Sequence, residues 1–236
     1  MDPAPSAPGS ALLALRVEAA RYALLRRLSP SIRHHLVVNL QPIGMIHEVM
    51  HRRLRTPEPD LDAIRESASK INGFARAALH SCIDIVSWIA PEADTTAQVT
   101  DTVRECVGLL TTSLSFRGYA LRSEVGALEQ EAPRAAVRQL LTATLLHCTD
   151  HTEPPAELVL RAEVESREQG SRVLLTLLVR SGGPVQGFSA EQGYRPITWE
   201  DIHALAVADG VDLQRAGHGF TMRLPAAVRQ AAVSEA

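Results

Sequence analysis

Apolar residues recur at helical spacing through the first third of the chain. Ala11 to Leu28 is rich in Ala, Leu and Arg, with Ser10 placed as its N-cap. Ser29-Pro30 then reads as a cap followed by proline in the first turn, so a helix is expected to break or restart there. From Ile32 to Leu54, the residues Ile32, Leu36, Leu40, Ile43, Met50 and Leu54 form one stripe, with Ile46 close to the same line. Pro42 lies inside this pattern and should kink the helix. Thr56-Pro57-Glu58-Pro59-Asp60 is a turn, and Asp60 caps a second helix running to about Ala90. Its apolar positions include Leu61, Ile64, Ile71, Phe74, Ala78, Ile85 and Ile89, and Trp88 should pack at the junction with the next domain. Two long helices joined by a short loop make an antiparallel hairpin. One hairpin cannot bury both stripes, so pairing with a second copy into a four-helix bundle is expected.

After a linker at 92–98 the pattern becomes mixed. Helices are expected over Val99–Arg117, Pro133–His147 and Trp199–Ala208. Strands are expected over Tyr119–Val125, Leu158–Val164, Arg172–Val179 and Gly219–Leu224, the last ending at Pro225. Arg172–Val179 is almost wholly apolar and reads as fully buried. The fold class is therefore α+β: a long helical hairpin, then an α/β sandwich with helices on one face of a mixed sheet. The division is a disordered tail at 1–10, the hairpin at 11–91, the sandwich at 99–226 and a C-terminal tail at 227–236. No internal repeat is present.

Composition narrows the class. The chain has 236 residues, 45% hydrophobic and 22% charged, as in ordinary globular proteins. No uncharged apolar run is long enough for a membrane span, and the N-terminus lacks the basic start and apolar core of a signal peptide. Cys82, Cys106 and Cys148 form no CxxC pair and read as buried thiols in a reducing cytoplasm. Net charge is −3, divided as +3 over residues 1–91 and −6 over the remainder. The basic excess is too small for a nucleic-acid binder but suits a hairpin that meets an acidic partner.

Two histidine patterns carry candidate chemistry. At about 100° per residue, His34 lies roughly 160° from Leu36 and faces away from the stripe. Val38, Gln41, Met45 and Arg52 lie below it on the same outward line. An exposed imidazole beside a small apolar strip can both react and dock a partner, although Val38 and Met45 also suit bundle packing. The second pattern, His47-Glu-Val-Met-His51, spells the HExxH signature of zinc metalloproteases, with Glu48 as base. That enzyme needs a third ligand and an open coordination site. No strand precedes this helix, and Arg52, Arg53 and Arg55 would crowd a divalent cation. The bland alternative pairs Glu48 with Arg52.

His34, Leu36, Asn39, Leu40, Pro42 and Ile43 resemble the phosphoacceptor helix of bacterial histidine kinases, in which a histidine is followed by Leu, Asn, Leu and Pro-Ile. His35 replaces the family's acidic residue after the histidine. The element order over 99–226 resembles that family's ATP-binding domain, and Gly217 to Pro225 its terminal strand. The chemistry departs. The family's magnesium-holding Asn falls at Cys148, in Thr144-Leu-Leu-His-Cys-Thr149, and a thiol suits a hard cation poorly. Arg180, in Arg180-Ser-Gly-Gly-Pro184, stands near the adenine-reading Asp. The Gly-rich lid reduces to Gly187 and Gly193. The resemblance thus implies a histidine phosphotransferase of a phosphorelay. It exchanges phosphate between His34 and a response-regulator receiver aspartate, forms a homodimer through the hairpin, binds no ATP or magnesium and has no autokinase activity. A non-catalytic pseudokinase scaffold for a response regulator or kinase is the alternative.

Overall fold

The computed structural model describes residues 8–90, 95–167, 170–182, 194–217 and 219–228. Its contacts divide into two compact units, one holding the chain up to Leu28 and from Glu92 onwards, the other Ser29–Pro91. The division falls inside helix α1, which spans Pro8–Leu54 without a break. The helix therefore neither starts at a Ser10 cap nor restarts at Ser29-Pro30. Proline in a helix interior costs about 3 kcal/mol. Leu28 and Ser31, on either side of Pro30, are both buried, so packing overrides the local breaker. Residues 1–7 of the expected tail, and its C-terminal counterpart from 229, lie outside the described residues.

In the second unit, α2 spans Leu61–Ile89, and Asp60 caps it by accepting from the amides of Asp62 and Ala63. The half-buried line of α1 runs Ile32, Leu36, Asn39, Ile43, Ile46, Met50. It steps by three or four residues, the spacing of a helix seam. Leu40 and Leu54, expected in this stripe, are exposed, and Asn39 takes the central place. On α2 the line includes Phe74, Ala78, Ser81, Ile85 and Trp88, whereas Leu61 and Ile89 are exposed. Cys82 is exposed as well, a correction to the reading of three buried thiols. It lies off the packed line, where the sequence pattern alone left its azimuth open.

The other unit is a mixed sheet with helices against it. Its strands are β1 (Thr96–Gln98), β2 (Tyr119–Ser123), β3 (Gln130–Pro133), β4 (Ala156–Arg167), β5 (Gly170–Ser181), β6 (Asp212–Ala216) and β7 (Gly219–Val228). Their order is β1-β3-β7-β5-β4-β2, with β6 also along β7. Among the described residues, β2 and β4 form the one parallel pair. The helices are α3 (Val99–Phe116), α4 (Arg134–His151) and α5 (Trp199–Ala208). Short β1, β3 and β6 escaped the sequence pattern, β1 within the expected linker. The strand at Tyr119 ends at Ser123, before Val125, and β7 continues through Pro225.

Register aligns apolar rows on one face, such as Leu160–Leu177–Phe220 and Ala162–Leu175–Met222. The other face carries Arg161 paired with Glu124, Arg180 with Glu157 and Arg223 with Asp212. Hence β5 alternates: Val173, Leu175 and Leu177 are buried while Leu174 and Leu178 are only half-buried. One covered face, not two, explains the difference. At the start of β7 a Cβ on Gly219 would lie 2.6 Å from Leu177 O, so only glycine lets the two strands approach.

Helix α4 is buried without interruption from Ala136 to Thr149. A helix on one sheet face buries only a stripe, so α4 has a second cover. Helices α3 and α5 flank it, and the first half of α1, whose Val17, Ala20, Leu24 and Leu28 are buried, adds to that cover. Arg21 Nε donates to Gln139 Oε1 at 3.1 Å, and Arg27 holds both oxygens of Asp150 at 2.8 and 2.5 Å. Asp150 also accepts from the Ile197 amide at 3.0 Å and has Arg117 3.7 Å away. Asp150→Ala strands buried guanidinium charge and an amide, so a loss of about 3–5 kcal/mol is expected in urea titration. A loss below about 1 kcal/mol would show the pair to be dispensable.

Candidate functional site

His34 sits on the solvent side of α1 and is exposed. Its ring meets that of His35 edge-on at 6.3 Å. His35 is half-buried, one residue and so about 100° around the helix. Val38 and Met45 are 50% and 56% exposed, and Gln41 and Arg52 are also exposed. The helix thus places His34, Val38, Gln41, Met45 and Arg52 on one open line, with apolar surface next to the imidazole.

The seam supports this line from behind. Asn39 Nδ2 donates to His35 O at 3.2 Å and to Ser81 Oγ of α2 at 3.0 Å, and Ser81 Oγ donates to Ala77 O at 3.0 Å. Sequence pattern gave Asn39 no structural part; its signal was a polar residue at the centre of an apolar heptad line.

His47 and His51, the HExxH pair, are exposed with nearly parallel rings whose centroids lie 6.3 Å apart. Among the described residues no group of three or more His, Cys, Asp or Glu could hold a metal ion. The zinc-protease arrangement lacks its third ligand there.

In the α/β unit, Thr144, Cys148 and Arg180 are the residues that the sequence resemblance aligns with a nucleotide site. Thr144 and Cys148 are buried, and Thr144 Oγ1 gives its proton to Leu140 O in its own helix at 2.6 Å. Burial pushes the Cys148 thiol up to about 12, with Arg215 opposing. It is a neutral thiol and no ligand for magnesium. The space beside it is filled. His147 Nδ1 lies 2.7 Å from Ile197 O, so that nitrogen carries the proton and donates. Its ring packs edge-on to Phe220 at 5.6 Å and against His151 at 4.2 Å. Arg180 donates to Glu157 at 3.3 Å on the neighbouring strand. Gly182 N donates to Pro155 O at 2.7 Å. These residues do not fit a magnesium-bound nucleotide. The lid glycines Gly187 and Gly193 lie outside the described residues.

No protein-family model matches the chain, and no curated protein matches it. Among solved structures it is similar to the histidine kinase AdeS of Acinetobacter baumannii, at 12% identity over 78% of this chain and 94% of that one, with a TM-score of 0.43. A histidine kinase of Burkholderia phymatum STM815 aligns at 14% identity over 84% of this chain and 96% of its own, with a TM-score of 0.39. A bacterial phosphotransferase aligns at 14% identity over 85% of this chain and 95% of its own, with a TM-score of 0.35. Among the described residues no helix is long and apolar enough to cross a membrane.

Burial holds the His147 pKa below its ordinary 6.5, with His151 and Arg215 acting in the same direction and the Ile197 bond and Asp150 opposing. The unfolded chain therefore binds the extra proton first as the pH falls. The stability that His147 contributes is complete above about pH 6.5 and is lost as the pH drops through the folded-state value. The thermal midpoint should fall between about pH 7 and 5, and His147→Gln should remove much of that fall. Parallel curves for the two proteins would assign the pH dependence elsewhere.

Proposed function

We propose that this chain acts in two-component signalling as a histidine phosphotransferase, passing a phosphoryl group between His34 and a receiver aspartate. The observation that carries the reading is the exposed His34 imidazole at the head of an open line of Val38, Gln41, Met45 and Arg52. It lies in a stretch resembling the histidine-kinase phosphoacceptor helix. The α/β unit supports the negative half of the proposal. Phosphoryl transfer from ATP needs metal and nucleotide held in place. Thr144, Cys148 and Arg180 offer neither a hard metal ligand nor an adenine-reading carboxylate.

Transfer from an aspartyl phosphate asks less of this chain. A neutral ring nitrogen of His34 attacks phosphorus. The N–P bond forms as the P–O bond to the aspartate breaks, and the aspartate leaves as a carboxylate. The other ring nitrogen then releases its proton to solvent. Val38 and Met45 would give the receiver an apolar footing, and Gln41 and Arg52 polar contacts at the rim.

Antiparallel pairing of α1 and α2 into a dimeric four-helix bundle belongs to the same proposal. Leu79, Ile83 and Val86 form a second apolar line on α2, each more than 60% exposed, and Val37 and Leu40 add to it on α1. An apolar face of this kind in a lone copy calls for a cover, and a second copy supplies the matching one. Sedimentation of the full chain should give a dimer, and Leu79→Glu with Ile83→Glu a monomer. A monomeric wild-type chain at tens of micromolar removes the bundle.

Incubation with a phosphorylated receiver domain tests the transfer. Label should appear on the chain, vanish with His34→Ala and persist with His35→Ala. Binding without label would favour the scaffold. Label from ATP and magnesium alone would refute the loss of kinase chemistry.

A further inference from the structure

The seam between α1 and α2 is largely apolar, with a polar layer where Asn39 meets Ser81. Asn39 stands in the middle of the α1 line, between Leu36 and Ile43, and Ser81 between Ala78 and Ile85 on α2. The two amide protons of Asn39 go to His35 O and Ser81 Oγ, and the Ser81 hydroxyl passes its own proton to Ala77 O. Each group in this thread is used in the sense its chemistry allows. Ser67, another hydroxyl on the α2 line, donates within its own helix, to Ala63 O.

An apolar heptad seam does not select its own register, because leucine and isoleucine pack almost as well one notch along. One polar layer does select it, since a slip exchanges this half-buried bond for flanking leucine and isoleucine side chains. The consequence reaches the surface. A one-residue change of seam turns α1 by about 100°. His34 lies roughly 140° around the helix from Asn39, so a turn that brings Val38 into the seam would leave the imidazole only about 40° from its centre.

We infer that Asn39, through Ser81, is the positioning residue of this site: it pins the register of α1 on α2 and so sets the direction in which His34 faces. This rests on the transfer reading for its purpose, but not for its measurement. Neither residue touches the transferred group. Their substitution changes where the imidazole stands and leaves its chemistry alone.

The test uses the full chain and its Asn39→Leu, Ser81→Ala and Ser81→Thr variants. Three quantities are read: the thermal midpoint, phosphoryl transfer from a phosphorylated receiver, and the rate at which diethyl pyrocarbonate acylates each histidine, mapped by mass spectrometry. Asn39→Leu should keep or raise the midpoint, because an apolar residue fits the seam. His34 acylation should slow by about threefold as conformers with the ring turned inward become populated. Transfer should fall by about tenfold through misplacement. Ser81→Ala should move both rates in the same direction, and Ser81→Thr, which keeps the hydroxyl, should restore them. Wild-type acylation at His34 in Asn39→Leu overturns the inference. So does a lowered midpoint with His47, His51 and His80 all becoming more reactive, since that is simple loss of fold. A wild-type chain that accepts no phosphate would end the transfer reading, while the acylation rates would still decide the role of Asn39.

Discussion

The α/β unit depends on burying α4 from two sides. The sheet takes one side of it, α3 and α5 flank it, and the first half of α1 adds a further cover. Leu24 and Leu28 each contribute roughly 1.5–3 kcal/mol to that docking, and the Arg27–Asp150 pair gives it direction. A charged pair this dry contributes little net stability once desolvation is counted. Its value lies in specificity. Asp150 ties α1 and Ile197 to one point on α4, so α1 has one place to lie.

A helix buried on all sides must satisfy every polar group it carries. Thr142, Thr144 and Thr149 do so by returning their hydroxyl protons to carbonyls of α4 itself. His147 does so through Ile197, and Arg138 through Glu105. These side chains are committed to the fold. A buried thiol and an inward-facing histidine make this end of α4 part of the core.

The helical unit shows the opposite economy. Its two lines meet along one seam, and much apolar surface stays open on α2. In the inferred arrangement, one amide and one hydroxyl set that seam and with it the direction of His34. Polar layers trade stability for uniqueness. Such a trade would serve the proposed transfer, which needs one ring facing one way.

Much of this was written in local pattern. The Asp60 cap, the helices at Val99 and Trp199, the strands around Leu158 and Arg172, and the outward line from His34 all come from spacing and turn chemistry. These depend on neighbours within a few residues. Other features depend on partners far along the chain, and no local pattern carries them. Asp150 meets Arg27 more than a hundred residues away, and Asn39 meets Ser81 across a turn. The short strands β1, β3 and β6 exist only because β7 and its neighbours offer an edge to pair with. Cys82 turned outward, and Leu40 gave its place in the seam to Asn39. Sequence periodicity determines which residues share a helix face; the packing of a second helix or sheet decides which of those faces is inside. For the same reason the residue types at Cys148 and Arg180 were readable by themselves, whereas the bond from His147 to Ile197 was a tertiary result.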